Sequence, residues 1–308
     1  MATSGSTDFQ QTAFTIVKDA FTEVTAHPSD QDMDAADLSF CLRKFNAMIK
    51  AWNAQGIHLW KVKEATLFLR SGVRFYDLGA TGDKAAIEPV ETTLSADAAT
   101  SATTPSLTST TGIAANDVIG IELDDNTIHW TTVASIGPVA LTAGLASAAS
   151  SGLAVYAYPT TAAVARPQRI TGARYELAGN EYPLEIISRA EYEAYANKTA
   201  TGSPNSVYYD PRLGNGRVFL WPAPDDVSGV VRLTCELPIE DIDDSSDNAD
   251  FPAEWTQALV CNLAYEIAPS YGVWGNRHAE LKGRAMEALD NVIDYDREYA
   301  PVTFQPAY

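Results

Sequence analysis

From Phe9 the apolar positions recur at Ala13, Ile16, Val17, Ala20, Phe21 and Val24, a stripe spaced three and four residues apart. That spacing predicts an amphipathic helix ending before Pro28. A second stripe, Leu38, Cys41, Leu42, Phe45, Met48, Ile49 and Trp52, predicts a helix from about Asp34 to Ala54, with Gly56 as its left-handed terminator. The pattern then shortens: Leu59 to Val62, Thr66 to Arg70 and Val73 to Leu78 read as strands, with a turn at Ser71-Gly72. Arg169 to Leu177, Tyr182 to Ile187, Val207 to Tyr209, Arg217 to Trp221 and Val230 to Glu236 carry the same strand character. Between them Ser188-Arg189-Ala190-Glu191 is a capping box that opens a short helix. Phe251-Pro252-Ala253-Glu254 starts a helix with Trp255, Leu259, Leu263, Ala264, Ile267 and Tyr271 on its apolar face. A last helix runs from about Asn276 to Glu298, with Leu281, Ala285, Leu289, Val292 and Ile293 inward.

Residues 85–165 differ from both flanks. They hold seven acids, Glu88, Glu91, Asp97, Asp117, Glu122, Asp124 and Asp125, and no Lys or Arg, in a background of Ala, Ser, Thr and Gly. Val118 to Leu123 and Thr127 to Val133 flank Asp124-Asp125-Asn126, a hairpin signal because Asp and Asn tolerate positive φ. Val139 to Thr142 and Leu153 to Tyr158 supply further strands. The expected class is therefore α+β: N- and C-terminal helices forming a helical body with a small antiparallel sheet, plus an inserted all-β module. The domain expectation is a discontinuous body of 1–84 and 166–308 and an insert of 85–165, shaped as a β-barrel or a sandwich.

Charge narrows the function classes. Lys and Arg number 21 against 40 Asp and Glu, a formal net charge of -19. Such a surface repels phosphate backbones instead of gripping them. The three cysteines, Cys41, Cys235 and Cys261, match neither a disulfide framework nor zinc-ligand spacing, which suits a reducing cytoplasm. The N-terminal stretch has no cationic run before an apolar one, and no segment is apolar over a bilayer's thickness, so neither secretion nor a membrane partner is expected.

Catalytic signals are absent. Gly79-Ala80-Thr81-Gly82-Asp83-Lys84 lacks the spacing and the Lys-Ser/Thr pair of a phosphate-binding loop. Asp241 to Asp250 is rich in carboxylates but lacks the turn glycine and bidentate Glu of a calcium loop, and reads as a solvated acidic loop. His27, His58, His129 and His278 have no partners at metal spacing, and no nucleophile-elbow or zinc-protease motif occurs. Glu191 and Glu193 are not separable from chance carboxylate pairs. No enzyme activity, cofactor or metal is expected. The aromatic residues sit among acids, which favours core and subunit-contact roles over base stacking. Trp52, Trp221 and Trp255 fall on apolar faces, whereas Trp60 and Trp274 adjoin loops and are candidate contact residues.

Tyr208-Tyr209-Asp210-Pro211-Arg212-Leu213-Gly214-Asn215-Gly216-Arg217-Val218-Phe219-Leu220-Trp221-Pro222-Ala223-Pro224 resembles the strand-and-turn signature of head-to-tail adaptors of short-tailed bacteriophages, also called tail accessory factors or packaged-DNA stabilisation proteins. Phe251-Pro252-Ala253-Glu254-Trp255 is similar to the helix that follows in that family, and Leu38 to Trp60 with Leu67 to Leu78 resembles its N-terminal part. The β insert also resembles modules of phage tail components. The resemblance implies a structural virion protein at the head–tail junction of a podovirus, assembled in the host cytoplasm. It implies a homo-oligomeric ring of about twelve copies beneath the portal protein. The ring would extend the DNA ejection channel and dock the tail nozzle or tail fibres, with DNA passing through unbound. The candidate interaction residues are Trp274, Tyr299, Phe304 and Tyr308. The alternatives are a tail or fibre-attachment component and, further off, a virion-associated cell-wall hydrolase.

Overall fold

The computed structural model describes residues 9–25, 28, 31–56 and 59–295. The class is α+β, as expected. The chain forms two compact units, one of residues 1–61 with 239–308 and one of residues 62–238.

The first unit is helical. Helices α1 (Ala13–Thr25) and α2 (Ala35–Gln55) lead the chain; it then passes through fourteen strands and a single-turn helix, α3 (Arg189–Ala194), before α4 (Thr256–Ile267) and α5 (Asn276–Tyr295). Both terminal pairs share one core: Ile16, Val17 and Phe21 of α1 and Phe45, Ile49 and Trp52 of α2 meet Leu259, Leu263 and Ile267 of α4 and Leu281 of α5. Asn262 ties α4 to α5 by donating to the Ala285 carbonyl at 3.0 Å. Helix α1 starts at Ala13 and not at Phe9 because its first amides find acceptors in the acidic loop. The Ala13 and Phe14 N–H groups donate to the Asp247 and Ser245 carbonyls, both at 2.8 Å. Helix α2 ends at Gly56 with φ 78, as its terminator role requires. Leu59–Lys61 forms a 3-10 turn, not the expected strand. That turn lets Trp60 stack on Phe251 and Trp255, with ring centroids 5.3 and 5.0 Å away. Trp60 thus packs, partly buried, against the helical core.

The second unit is built of three sheets. Strands β1 (Val62–Phe68), β2 (Phe75–Leu78), β3 (Ala85–Ile87), β4 (Val90–Thr93), β5 (Val118–Glu122), β6 (Ile128–Ile136), β7 (Val139–Leu141) and β8 (Ala154–Tyr158) come first. They are followed by β9 (Arg169–Leu177), β10 (Asn180–Pro183), β11 (Glu185–Ile186), β12 (Ser206–Asp210), β13 (Gly216–Trp221) and β14 (Val230–Glu236). The sheets run β10-β9-β14-β1-β3, β11-β12-β13-β2 and β4-β8-β5-β6-β7. The first two face each other across Leu67, Tyr76, Leu78, Val218, Leu220, Val231 and Leu233, so the small sheet expected from sequence is a two-sheet sandwich. All pairings between these strands are antiparallel except β11 with β12. Cys235 lies in this core, where burial pushes its thiol up to about 12. It is a packed, unreactive group.

The third sheet has an apolar core on one face, with Ile119, Ile121, Val133 and Val155. Its other face sets Trp130, Tyr156 and Tyr158 against Phe68 and Val230 of the first sheet. The Phe68 ring lies 4.7 Å from Tyr156 and 4.9 Å from Trp130. Arg232 reinforces this seam, donating to Glu176 at 2.8 Å, Thr66 at 2.6 Å and Glu91 at 2.7 Å. Gly120 pairs with Trp130 across β5 and β6, and a Cβ there would stand 2.5 Å from the indole. A Gly120→Ala substitution should therefore cost about 1–3 kcal/mol by overpacking, measured by urea denaturation.

Candidate functional site

The hairpin of β12 and β13 carries the longest motif singled out in the sequence, and alternation along β13 assigns its faces. Val218 and Leu220 point into the sandwich core, which leaves Arg217, Phe219 and Trp221 on the outer face. Across the register lie Tyr208 on β12 and Phe75 on β2. Tyr208 stacks on Phe219 at 5.5 Å, Tyr192 of α3 sits 5.0 Å from Phe219, and Tyr195 stacks on Trp221 at 4.0 Å. Helix α3 covers this face because its capping box holds: the Glu191 N–H donates to Ser188 Oγ, and Glu191 accepts from the Ser188 N–H at 2.7 Å. Trp221 is therefore an outer-face stacking residue and not a core one.

The same face contains cations, contrary to the expectation that the aromatics sit only among acids. Arg217 lies 4.5 Å from the centre of the Phe75 ring and grips Asp77 bidentately at 2.7 and 2.8 Å. The Arg217 hydrogen bond holds the Asp77 carboxyl below the usual carboxylate range. Arg212 and Arg189 both reach Asp210, at 2.7 and 3.6 Å.

At the tip, Pro211 to Gly214, Leu213 is completely exposed. Its support is the loop that superficially resembled a phosphate cradle. Asn215 donates to Thr81 Oγ1 at 2.9 Å, and its side chain occupies the space that a Cβ on Gly79 would need. Asp83 accepts from the Asp77 N–H at 2.8 Å and pairs with Arg70 at 2.8 Å. Gly79 to Lys84 is thus a brace for the hairpin.

The acids of the insert serve its turns. Asp117 accepts from the Ala114 N–H at 2.7 Å, Asp97 from Ser151 at 2.8 Å and Asp124 from Ser150 at 3.0 Å. In the acidic loop Asp247 accepts from the Asp243 and Asp244 N–H groups at 3.1 and 2.8 Å, and Asp250 pairs with Lys61. Among the described residues no group of metal-ligating side chains converges, and no helix is long and apolar enough to cross a membrane. His129 is half-buried on β6 and His278 lies 4.8 Å from Tyr265; His27 and His58 fall outside the described residues.

Of the four candidate interaction residues, Trp274 is 65% exposed, just after the left-handed Gly272 and beside His278. Tyr299, Phe304 and Tyr308 lie outside the described residues. The sequence reading missed Leu213 and a groove between α1 and α4. The groove, about 560 Å³, is lined by Phe14, Lys18, Asp19, Glu23 and Val260 among others. Helical periodicity assigns inward faces but not the gap between two helices, so no sequence signal marked it.

A family model described as SU10 adaptor protein matches residues 130–305, more than half of the chain. The chain belongs to the SU10 adaptor protein family. No curated protein matches it. The matched stretch contains the β12–β13 hairpin, α4 and α5, and begins inside the third sheet at Trp130. The similarity noted over Leu38 to Leu78 lies outside it. The protein is accordingly a structural adaptor of a phage virion.

The Asp77–Arg217 pair makes a pH prediction. Because Asp77 is held below its ordinary range, its contribution is present above the unfolded carboxyl pKa of about 3.9 and is lost as pH falls through the depressed folded value. The half-exposed setting limits the pair to roughly 1 kcal/mol. Asp77→Asn should be less stable than the wild type by that amount at neutral pH in urea denaturation, and the gap should close in acid below about pH 3.

Proposed function

We propose that the protein forms a ring of about twelve copies between portal and tail of a short-tailed phage, extends the DNA channel and serves as docking platform for tail components. The observation that carries this reading is the adaptor-family match over residues 130–305, which spans the braced hairpin and both C-terminal helices. The helical unit is the ring body nearest the portal. Trp274, an exposed indole beside the start of α5, contacts the portal or a neighbour together with Tyr299, Phe304 and Tyr308. Exposed large aromatics favour such contacts because they bury much area at little entropic cost. Residues 85–165 act as an inserted module turned outward or toward the tail, where nozzle or fibres attach. The net charge of -19 supports an acidic lumen along which DNA slides without sticking. The protein is assembled onto filled heads in the host cytoplasm.

Light scattering on the purified protein, alone and mixed with portal rings, tests this reading. The expected result is a small free species that becomes a ring of about a dozen copies on portal. A stable trimer indifferent to portal would point to a fibre component instead, and clearance of peptidoglycan to a lytic enzyme. Trp274→Ala should weaken portal binding at least about tenfold without changing the thermal midpoint, as an exposed contact residue should.

A further inference from the structure

A cavity of about 340 Å³ opens between the turn that precedes β2 and the segment that follows α3. Val73, Phe75 and Ala223 give it apolar walls, Arg74 and Lys198 give it charge, and no Asp or Glu lines it. In a chain with 21 Lys and Arg against 40 Asp and Glu, two cations without an acid are an anomaly. Arg70, Arg189, Arg212 and Arg217 show the ordinary outcome, paired with Asp83, Glu193, Asp210 and Asp77. Arg74 makes no ion pair and no side-chain hydrogen bond among the described residues. Lys198 donates to the Glu193 and Tyr195 carbonyls at 2.9 and 3.1 Å, which uses two of its three N–H groups and leaves its charge without a carboxylate.

Both charges bear on one ring. Lys198 Nζ lies 5.8 Å from the centre of Tyr192, and Arg74 opposes the upward push that burial gives the Tyr192 hydroxyl. The two cations thus face the same region, and no anion in the cavity wall offsets their repulsion. The walls themselves are fixed. The Gly72 N–H donates to the Pro224 carbonyl at 2.7 Å, Ser71 Oγ to the Asp225 carbonyl at 2.7 Å and the Ala223 N–H to the Ala200 carbonyl at 2.9 Å. Thr199 is held on Asn197 Oδ1 through its N–H and its hydroxyl, at 3.0 and 2.9 Å. An entering anion meets donors on a scaffold that is already ordered, so binding costs little conformational freedom.

We propose that this cavity takes a carboxylate side chain of a partner protein, with Arg74 gripping both oxygens and the remaining Lys198 N–H completing the set. The unpaired cations call for an oxyanion. The Val73, Phe75 and Ala223 walls would be left uncovered by inorganic phosphate but are covered by a glutamate stem and an adjoining apolar residue. A net charge of -19 works against a nucleic acid, whose phosphates would have to approach that field. The site requires neither a ring nor a given copy number, so it stands or falls separately from the assembly proposed above.

Saturation-transfer NMR on the full-length protein tests the site, with acetyl-Phe-Glu-Phe-amide as probe and acetyl-Phe-Gln-Phe-amide as its neutral twin. The acidic peptide should bind at least about tenfold more tightly than the neutral one, although the net charge repels it, because it alone makes charge-assisted hydrogen bonds on both sides. Arg74→Gln should remove that preference, and Arg74→Lys, which keeps the charge but not the two-pronged donor, should retain part of it. Thr199→Glu, at an exposed residue of the cavity wall, supplies an internal carboxylate and should weaken the acidic peptide at least about tenfold without lowering the thermal midpoint. Equal binding of the two peptides, or binding of neither, would overturn the proposal. So would an undiminished preference in Arg74→Gln or in Thr199→Glu. Tighter binding of inorganic phosphate than of the acidic peptide would make the cavity a free-anion site, and displacement of the peptide by oligothymidylate would assign it to nucleic acid; either result would overturn the proposal.

Discussion

Closure of the helical unit by the two ends of the described chain is the constraint on which the remaining structure depends. Residues 59–61 and 239–251 meet in that unit and are fastened there by several bonds. Trp60 Nε1 donates to the Asp250 carbonyl at 3.1 Å, Lys61 pairs with the Asp250 carboxylate, and Lys50 donates to the Ile239 carbonyl at 3.2 Å. Asn46 exchanges two hydrogen bonds with Ile242, at 2.8 and 3.0 Å. Beneath them Trp52, Trp60, Phe251 and Trp255 form one aromatic cluster. Everything from Val62 to Pro238 is thus an excursion whose two ends are held together. This fixing of the ends removes much of the closure entropy that the long-range strand pairs β1 with β14 and β9 with β14 would otherwise carry.

Within the excursion, the seam of Phe68, Trp130, Tyr156, Tyr158 and Val230 holds the third sheet on the sandwich, and Arg232 bridges them electrostatically. Burial opposes the charge on Arg232, but Glu176 and Glu91 outweigh it and raise its pKa. The hairpin turn between β5 and β6 adds a polar tie: Asn126 donates to the Asp225 carbonyl at 3.2 Å and accepts from the Val227 N–H at 3.1 Å. The third sheet is thus fastened to the sandwich by apolar, ionic and hydrogen-bonded contacts. Several of its acids, which the composition marks as unusual, accept from backbone donors in turns, which favours their charged form.

Periodicity made the helices legible, since α1, α2, α4 and α5 bury the stripes that the sequence displays. Local chemistry did the same for the Ser188 capping box, the Gly56 terminator and the Asp124 to Asn126 hairpin, because each is decided by residues a few positions apart. What stayed hidden depends on distant partners. The 3-10 turn at Leu59–Lys61 exists because Trp60 finds Phe251 and Trp255, and no local pattern encodes that meeting. The split of the strands into two facing sheets is likewise a matter of which ones pair. Arg217 came to sit over Phe75 because β13 pairs with β2, so a linear reading saw aromatics among acids where the fold sets a cation on a ring. Exposure of Trp274 was legible from its place beside a loop; that of Leu213 became visible only with the hairpin tip in place.

The most direct test of the central claim is a three-dimensional reconstruction of the virion's head–tail junction at a resolution that separates helices. The account predicts a ring of about twelve copies of this chain between portal and tail. Density for this chain as a trimer on a fibre, or its absence from the junction, would contradict the account.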